Sequence, residues 1–176
     1  MINETNEVGP GELSARLQPP PLAPSTDDTG TVQVLGFRLG EQSYGLEVAH
    51  VYEVSRMVAV TALPDSPPEV LGVVDYRGTI VPIIDLRTRF GLEERAVTLS
   101  TPIIIAWGGQ RAIGLVVDEV SGVLAVEPGV IMEPDEFGQA GRCVSGVARL
   151  EDGLLLIVNP ADLLSEEAAR ALTSSV

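Results

Sequence analysis

A mainly β protein built on a duplicated unit is the fold class this sequence predicts, and three observations carry that expectation. Aromatic residues make up only 4% of the chain while 45% is hydrophobic, so Val, Ile and Leu must fill the core, and β-branched side chains favour pleated sheet. Apolar runs are short and end at glycine-bearing turns. The pattern of the first half also recurs in the second.

Residues 1–30 contain Pro10, Pro19-Pro20-Pro21 and Pro24 among scattered acids, with no apolar period, and are expected to form a disordered tail. Pro21-x-x-Pro24 is a weak match to a proline-rich ligand. Asp28-Thr29-Gly30 has the triplet of an aspartic protease, but no second such triplet supplies the paired carboxylate, so a turn is the better reading. Residues 31–172 are expected to form the domain.

Val32 and Val34, then Leu35, Phe37 and Leu39 out of step, predict a strand with a bulge near Gly36. A turn at residues 40–43 and a returning strand at 44–48 complete a hairpin. In residues 48–54, Val48, Val51 and Tyr52 share a helical spacing, which predicts a short helix, and lone His50 is expected to be solvated. Residues 56–68, with three prolines, form a loop.

Residues 70–92 are the most sharply punctuated stretch. Strands at 70–76 and 79–84 flank Arg77-Gly78, where Gly78 can take the positive φ of a hairpin turn. Pro82 lacks an amide donor, which predicts an edge strand or a bulge. Asp85 is placed to cap a helix over 86–90 and Gly91 to end it. Residues 93–100 are a surface connection, 103–107 and 112–117 a hairpin around Gly108-Gly109, and 120–126 an alternating strand. The acidic stretch 128–141 reads as a solvated loop. Strands at 144–150 and 154–158 turn at Asp152-Gly153, and Asn159-Pro160 opens one terminal helix with Leu163, Leu164, Ala168 and Leu172 on one side.

The 176 residues suit one domain with a tail. A formal net charge of −14 argues against non-specific binding to nucleic acid or anionic lipid. One cysteine, Cys143, permits no internal disulfide, and with one histidine no Cys/His zinc site can be assembled. No segment reaches the roughly 18 uninterrupted apolar residues of a membrane span, and a soluble, cytoplasmic protein is expected.

The duplication is visible in two echoes. Gly40-x-Gln42, Gly45-Leu46-x-Val48 and Val51 recur as Gly108-x-Gln110, Gly114-Leu115-x-Val117 and Val120. Gly72-Val73, a hairpin, Ile83-Ile84 and Asp85-Leu86 recur as Gly146-Val147, a hairpin, Ile157-Val158 and Asp162-Leu163. Each copy is too small to bury much alone, so the two should pack together around a pseudo-twofold axis.

The segments VLGVVDYRGTIVPIIDLRTRFG, FRLGEQSYGLEV, GLVVDEVSGVL and LLLIVNPADLL, which span most of the chain beyond the tail, resemble the CheW family of chemotaxis coupling proteins and the regulatory domain of the histidine kinase CheA. The resemblance implies two five-stranded SH3-like β-barrels related by a pseudo-twofold, with short helices and a C-terminal helix. It implies an adaptor without catalysis or cofactor, cytoplasmic and held at receptor arrays. Its partners would be the cytoplasmic tip of a helical chemoreceptor, in the groove between barrels, and a CheA-like kinase at the barrel ends. Arg77 matches the arginine of the family's Asn-Leu-Arg-Gly turn, while Val51 and Glu53 match contact positions after the Tyr-Gly hairpin. Val120 and Val123 match apolar positions of the second barrel, with core packing as the alternative for each valine. Gly72 and Gly114 match glycines needed for backbone geometry, as Gly78 is for the turn. The chain departs from the family at Asp75-Tyr76, which sets a carboxylate beside Arg77 and able to pair with it. A CheW-like scaffold of another receptor-kinase pathway, such as surface motility, and a hydrolase built on Asp75, Asp85 and Asp118 are the alternatives.

Overall fold

The computed structural model describes residues 17–20, 28–132 and 142–174, so most of residues 1–30 and the acidic residues Glu133, Asp135 and Glu136 lie outside the described residues. The described chain is mainly β. In order it forms β1 (Val32–Leu39), β2 (Gln42–Glu47), a 3-10 turn (Val48–His50) and β3 (Val51–Arg56). Then come β4 (Val70–Tyr76), β5 (Thr79–Asp85), helix α1 (Leu86–Arg89), β6 (Pro102–Trp107), β7 (Ala112–Val116) and β8 (Glu119–Val126). The chain finishes with a second 3-10 turn (Pro128–Val130), β9 (Ile131–Met132), β10 (Val144–Leu150), β11 (Gly153–Val158), α2 (Pro160–Leu163) and α3 (Glu166–Ser174).

Two sheets result, one of six strands in the order β8-β1-β2-β11-β10-β9 and one of five in the order β3-β6-β7-β5-β4. The duplicated copies do not each make a sheet. β1 and β2 of the first copy join β8, β10 and β11 of the second, while β6 and β7 of the second join β3, β4 and β5 of the first. With β1 matched to β6, β2 to β7, β3 to β8, β4 to β10 and β5 to β11, both sheets have one strand order, and in both the last hairpin joins through a parallel pair, β11 to β2 and β5 to β7.

The apolar side chains form three clusters that follow from this exchange. Val74, Val81, Ile83, Ile103, Ile105 and Val116 fill the inner face of the five-stranded sheet, and Val34, Val126, Ala148, Leu155 and Ile157 that of the six-stranded sheet. A third cluster lies between the sheets and draws on both, with Phe37, Leu39 and Leu46 meeting Ile84, Leu86, Ile104 and Leu115. Gly114 sits where a Cβ would come 2.5 Å from Ile83 Cδ1 and 2.9 Å from Ile103 Cδ1, so any larger residue would force those two side chains to shift.

Several local expectations change. Residues 48–54 do not form one helix, because residues 51–54 enter β3, where Val51, Glu53 and Val54 pair with β6, and one 3-10 turn is all that precedes them. A ladder outweighs the weak helical preference of β-branched residues. β1 pairs with β2 without a break, and its bulge belongs to β8, where Gly36 faces Gly122 and Phe37 already faces Val120. The two out-of-step apolar sets of β1 reflect burial on both faces, Val34 into one sheet's core and Leu35 and Phe37 into the cluster between sheets. Pro82 lies in an interior strand, paired with Val73 of β4 and just before the stretch of β5 that joins β7 at Ile83. The terminal helix is two helices. Asn159 Oδ1 caps α2 by accepting from the Ala161 amide at 3.1 Å, and Ser165 Oγ caps α3 by accepting from the Ala168 amide at 3.1 Å.

Candidate functional site

The hairpin of β4 and β5 forms as its turn chemistry requires. Arg77 (φ 51°) and Gly78 (φ 78°) both take positive φ, the pairing of a type I′ turn whose twist suits the flanking strands. An arginine there is uncommon. The turn is held by Asp75, whose Oδ1 accepts from the Gly78 amide at 2.9 Å. Asp75 is therefore not the partner of Arg77, contrary to the sequence expectation, since its short side chain is committed to the turn.

The partner of Arg77 comes from the opposite edge of the sheet. Arg77 Nη2 donates to Glu53 Oε2 at 2.6 Å, the Tyr76 hydroxyl donates to the same oxygen, and the guanidinium lies 5.0 Å from the Tyr76 ring centroid. A bulge at Tyr52, where Val51 faces Ala106 and Glu53 faces Ile105, sets the register of β3 there. Side chains of the two edge strands of the five-stranded sheet, β3 and β4, therefore meet at this contact. Farther along β4, Val73 also forms an isolated antiparallel bridge with Thr61 of the loop that follows β3. There Gly72 (φ 143°) is required, because a Cβ would lie 2.2 Å from the Thr61 carbonyl oxygen. Partial burial and the Glu53 carboxylate push the Tyr76 phenol above its ordinary pKa. Arg77 remains 67% exposed and Glu53 37%, so the pair is worth at most about 1 kcal/mol and leaves the guanidinium able to exchange partners.

A groove of about 780 Å³ runs between β3, the edge strand that carries Glu53, and β8, an edge strand of the other sheet. Val54, Ser55 and Arg56 line one wall and Asp118, Glu119 and Val120 the other, with Pro102 at the floor. Val51 and Val120 are half-buried and pack on the cluster between the sheets, as the core-packing alternative expects, and Val120 also lines the groove. Val123 stands apart on β8, 58% exposed.

The sequence matches the CheW-like domain family over residues 33–168. The chain belongs to that family. It is 36% identical to the chemotaxis protein CheW of Klebsiella aerogenes over 137 residues, covering 77% of this chain and 82% of that one. A probable chemotaxis protein CheW of Rhizobium etli is 30% identical over 144 residues, with 81% and 93% covered. The crystal structure of the scaffolding protein TtCheW from Thermoanaerobacter tengcongensis superposes with a TM-score of 0.71 at 31% identity, covering 77% of this chain and 94% of that one. With membership comes the family's role, that of a coupling scaffold in chemotaxis.

The carboxylates of the hydrolase alternative are all engaged in this CheW-like chain. Asp75 holds the turn. Asp85 accepts from the Arg87 amide at 3.0 Å and the Thr88 hydroxyl at 3.2 Å. Asp118 accepts from Arg87 Nε at 2.7 Å, Arg87 Nη2 at 2.6 Å and the Gly40 amide at 2.7 Å. The Arg87 hydrogen bonds hold the Asp118 carboxyl below its ordinary pKa, against the opposing effect of burial. Asp85 and Asp118 line one cavity of about 360 Å³, but as cap and ion pair. The Asp28-Thr29-Gly30 triplet is a turn, with Gly30 at φ 81°. Among the described residues no cluster of His, Cys, Asp and Glu could hold a metal, and no helix is long and apolar enough to cross a membrane.

Sequence reasoning missed Ile80, which is 63% exposed at the hairpin tip, and Val54 in the groove wall. The signal for Ile80 was present. It alternates with Val81 and pairs with exposed Asp75, so strand parity alone turns it outward.

Proposed function

We propose that this chain is a non-catalytic adaptor coupling the cytoplasmic tip of a chemoreceptor to a CheA-type histidine kinase, with its two sheets acting as SH3-like barrels related by a pseudo-twofold. The observation that carries this reading is the open groove between β3 and β8, together with an exposed arginine, Arg77, paired to Glu53 of the same β3. Apolar walls at Val54 and Val120 suit one ridge of a helix, and the helical receptor tip supplies such a ridge. Arg77 and Ile80 together give the tip one charged and one apolar anchor, the pairing common at interface hot spots. In this reading the protein works in the cytoplasm at receptor arrays, without a cofactor. Arg77, Glu53 and the valines at 51, 120 and 123 would be contact or supporting positions.

The test is calorimetric titration of the full chain with a receptor-tip fragment and, separately, with the kinase's regulatory domain, followed by titration of one in the presence of the other. Binding to both, with a ternary complex, is expected. Failure to bind either would overturn the adaptor reading, and mutually exclusive binding would overturn the assignment of two separate surfaces.

A further inference from the structure

The described segment at residues 17–20 lies on the end of the five-stranded sheet that carries Arg77. The Leu17 amide donates to Thr79 Oγ1 at 3.0 Å across 62 positions of chain. Thr79 is the first residue of β5, immediately after Arg77-Gly78. The Leu17 side chain is half-buried and packs on the sheet's inner cluster, whose partly buried rim also includes Tyr52, Tyr76 and Trp107. Tyr76 is the residue that shares Glu53 with Arg77, so Leu17 closes the apolar interior next to the exposed ion pair.

The contact is built to be weak. Pro19 and Pro20 follow at once, and neither has an amide to extend a ladder along β5. Among the described residues, one leucine side chain and one neutral hydrogen bond hold the segment. Because residues 21–27 tether it to the domain at Asp28, its local concentration is on the order of millimolar, and a weak contact suffices to keep it docked much of the time.

We propose that residues 17–20 are a releasable cover over the hairpin-tip end of the five-stranded sheet, which a partner engaging that end must displace. The docking stands on its own geometry; the competition with a partner rests on the adaptor reading. If the cover is closed in 70–90% of molecules, an order-of-magnitude estimate, apparent affinity at the tip is reduced about three- to tenfold, because only the open fraction binds.

The experiment compares the full chain with its Leu17→Asp variant, which places a charge where the apolar side chain docks, and with Leu17→Met, which keeps the contact. Amide resonances of Gly78, Thr79 and Ile80 are followed by NMR, with the thermal midpoint as a check of fold. Leu17→Asp is expected to shift those resonances and speed their hydrogen exchange, and to tighten binding of the kinase's regulatory domain or of the receptor-tip fragment about three- to tenfold. Leu17→Met should behave as the parent chain. Unmoved tip resonances in Leu17→Asp would overturn the docking, and shifted resonances with both affinities unchanged would overturn the cover. If no form of the chain binds either partner, the adaptor reading fails, and the resonances alone decide whether the segment docks.

Discussion

Two arginine–carboxylate pairs of equal length do different work in this molecule. Arg87 and Asp118 meet at 2.6 Å, as do Arg77 and Glu53, but the first pair is 16% and 12% exposed and the second 67% and 37%. Arg87 grips its partner with two donors, donates Nη1 to the Glu93 carbonyl at 2.7 Å, and shares Asp118 with the Gly40 amide. The pair thereby ties α1, the turn between β1 and β2, and the passage from β7 in one sheet to β8 in the other. Arg77 uses a single donor atom on Glu53 and faces solvent. Distance alone would rank the two pairs together. Burial and bond count separate a joint between the sheets from a side chain free to reach outward.

The sharpest way to break this comparison is Asp118→Asn, which leaves the Arg87 charge nearly buried and uncompensated. Its expected cost is about 3 kcal/mol of unfolding free energy, read by urea denaturation, and a loss below 1 kcal/mol would place Asp118 with the surface pairs. The same pair has a pH signature. Because the folded Asp118 carboxyl titrates below its ordinary value, its contribution is complete above the unfolded aspartate pKa, about 4, and fades as pH falls through the folded value. The stability gap between parent chain and Asp118→Asn should therefore stay constant at neutral pH and narrow on acidification below about pH 4.

Arg77→Ala should give the converse result. Unfolding free energy should change by less than about 1 kcal/mol, while affinity for at least one partner falls by about 2 kcal/mol or more, both read on one preparation by denaturation and calorimetry. Lost stability with unchanged affinity would make Arg77 a second structural pair. Gly72→Ala sharpens the picture at the bridge between Thr61 and Val73, where a methyl group meets the Thr61 carbonyl. A cost of roughly 1–3 kcal/mol is expected in thermal or urea unfolding, and a neutral outcome would mean that the bridge to Thr61 yields easily.

Much of the fold was legible because its signals are local. The hairpin around Arg77-Gly78, the caps at Asp85 and Asn159, and the stop at Gly91 (φ 69°) each rest on residues a few positions apart. The proposed interaction surface was legible only in part. Arg77 could be placed at an exposed tip, but Glu53 could be placed beside it only once β3 and β4 were known to be the two edges of one sheet. The valines at 51 and 120 pack on the same cluster because β3 and β8 hold matching edge positions in different sheets, which no spacing in the chain reveals.

By itself the sequence determined most of the strands and their turns, since alternation, positive φ and capping act over two to four residues, and it carried the repeat. Only the tertiary structure decided that the copies exchange strands, that residues 48–54 become a turn and a strand, and that Asp118 belongs to Arg87 while Asp75 belongs to its own turn. Each of those outcomes depends on which distant segment supplies a ladder or a charge. That choice is made by burying three apolar clusters at once, and no single stretch of chain carries it.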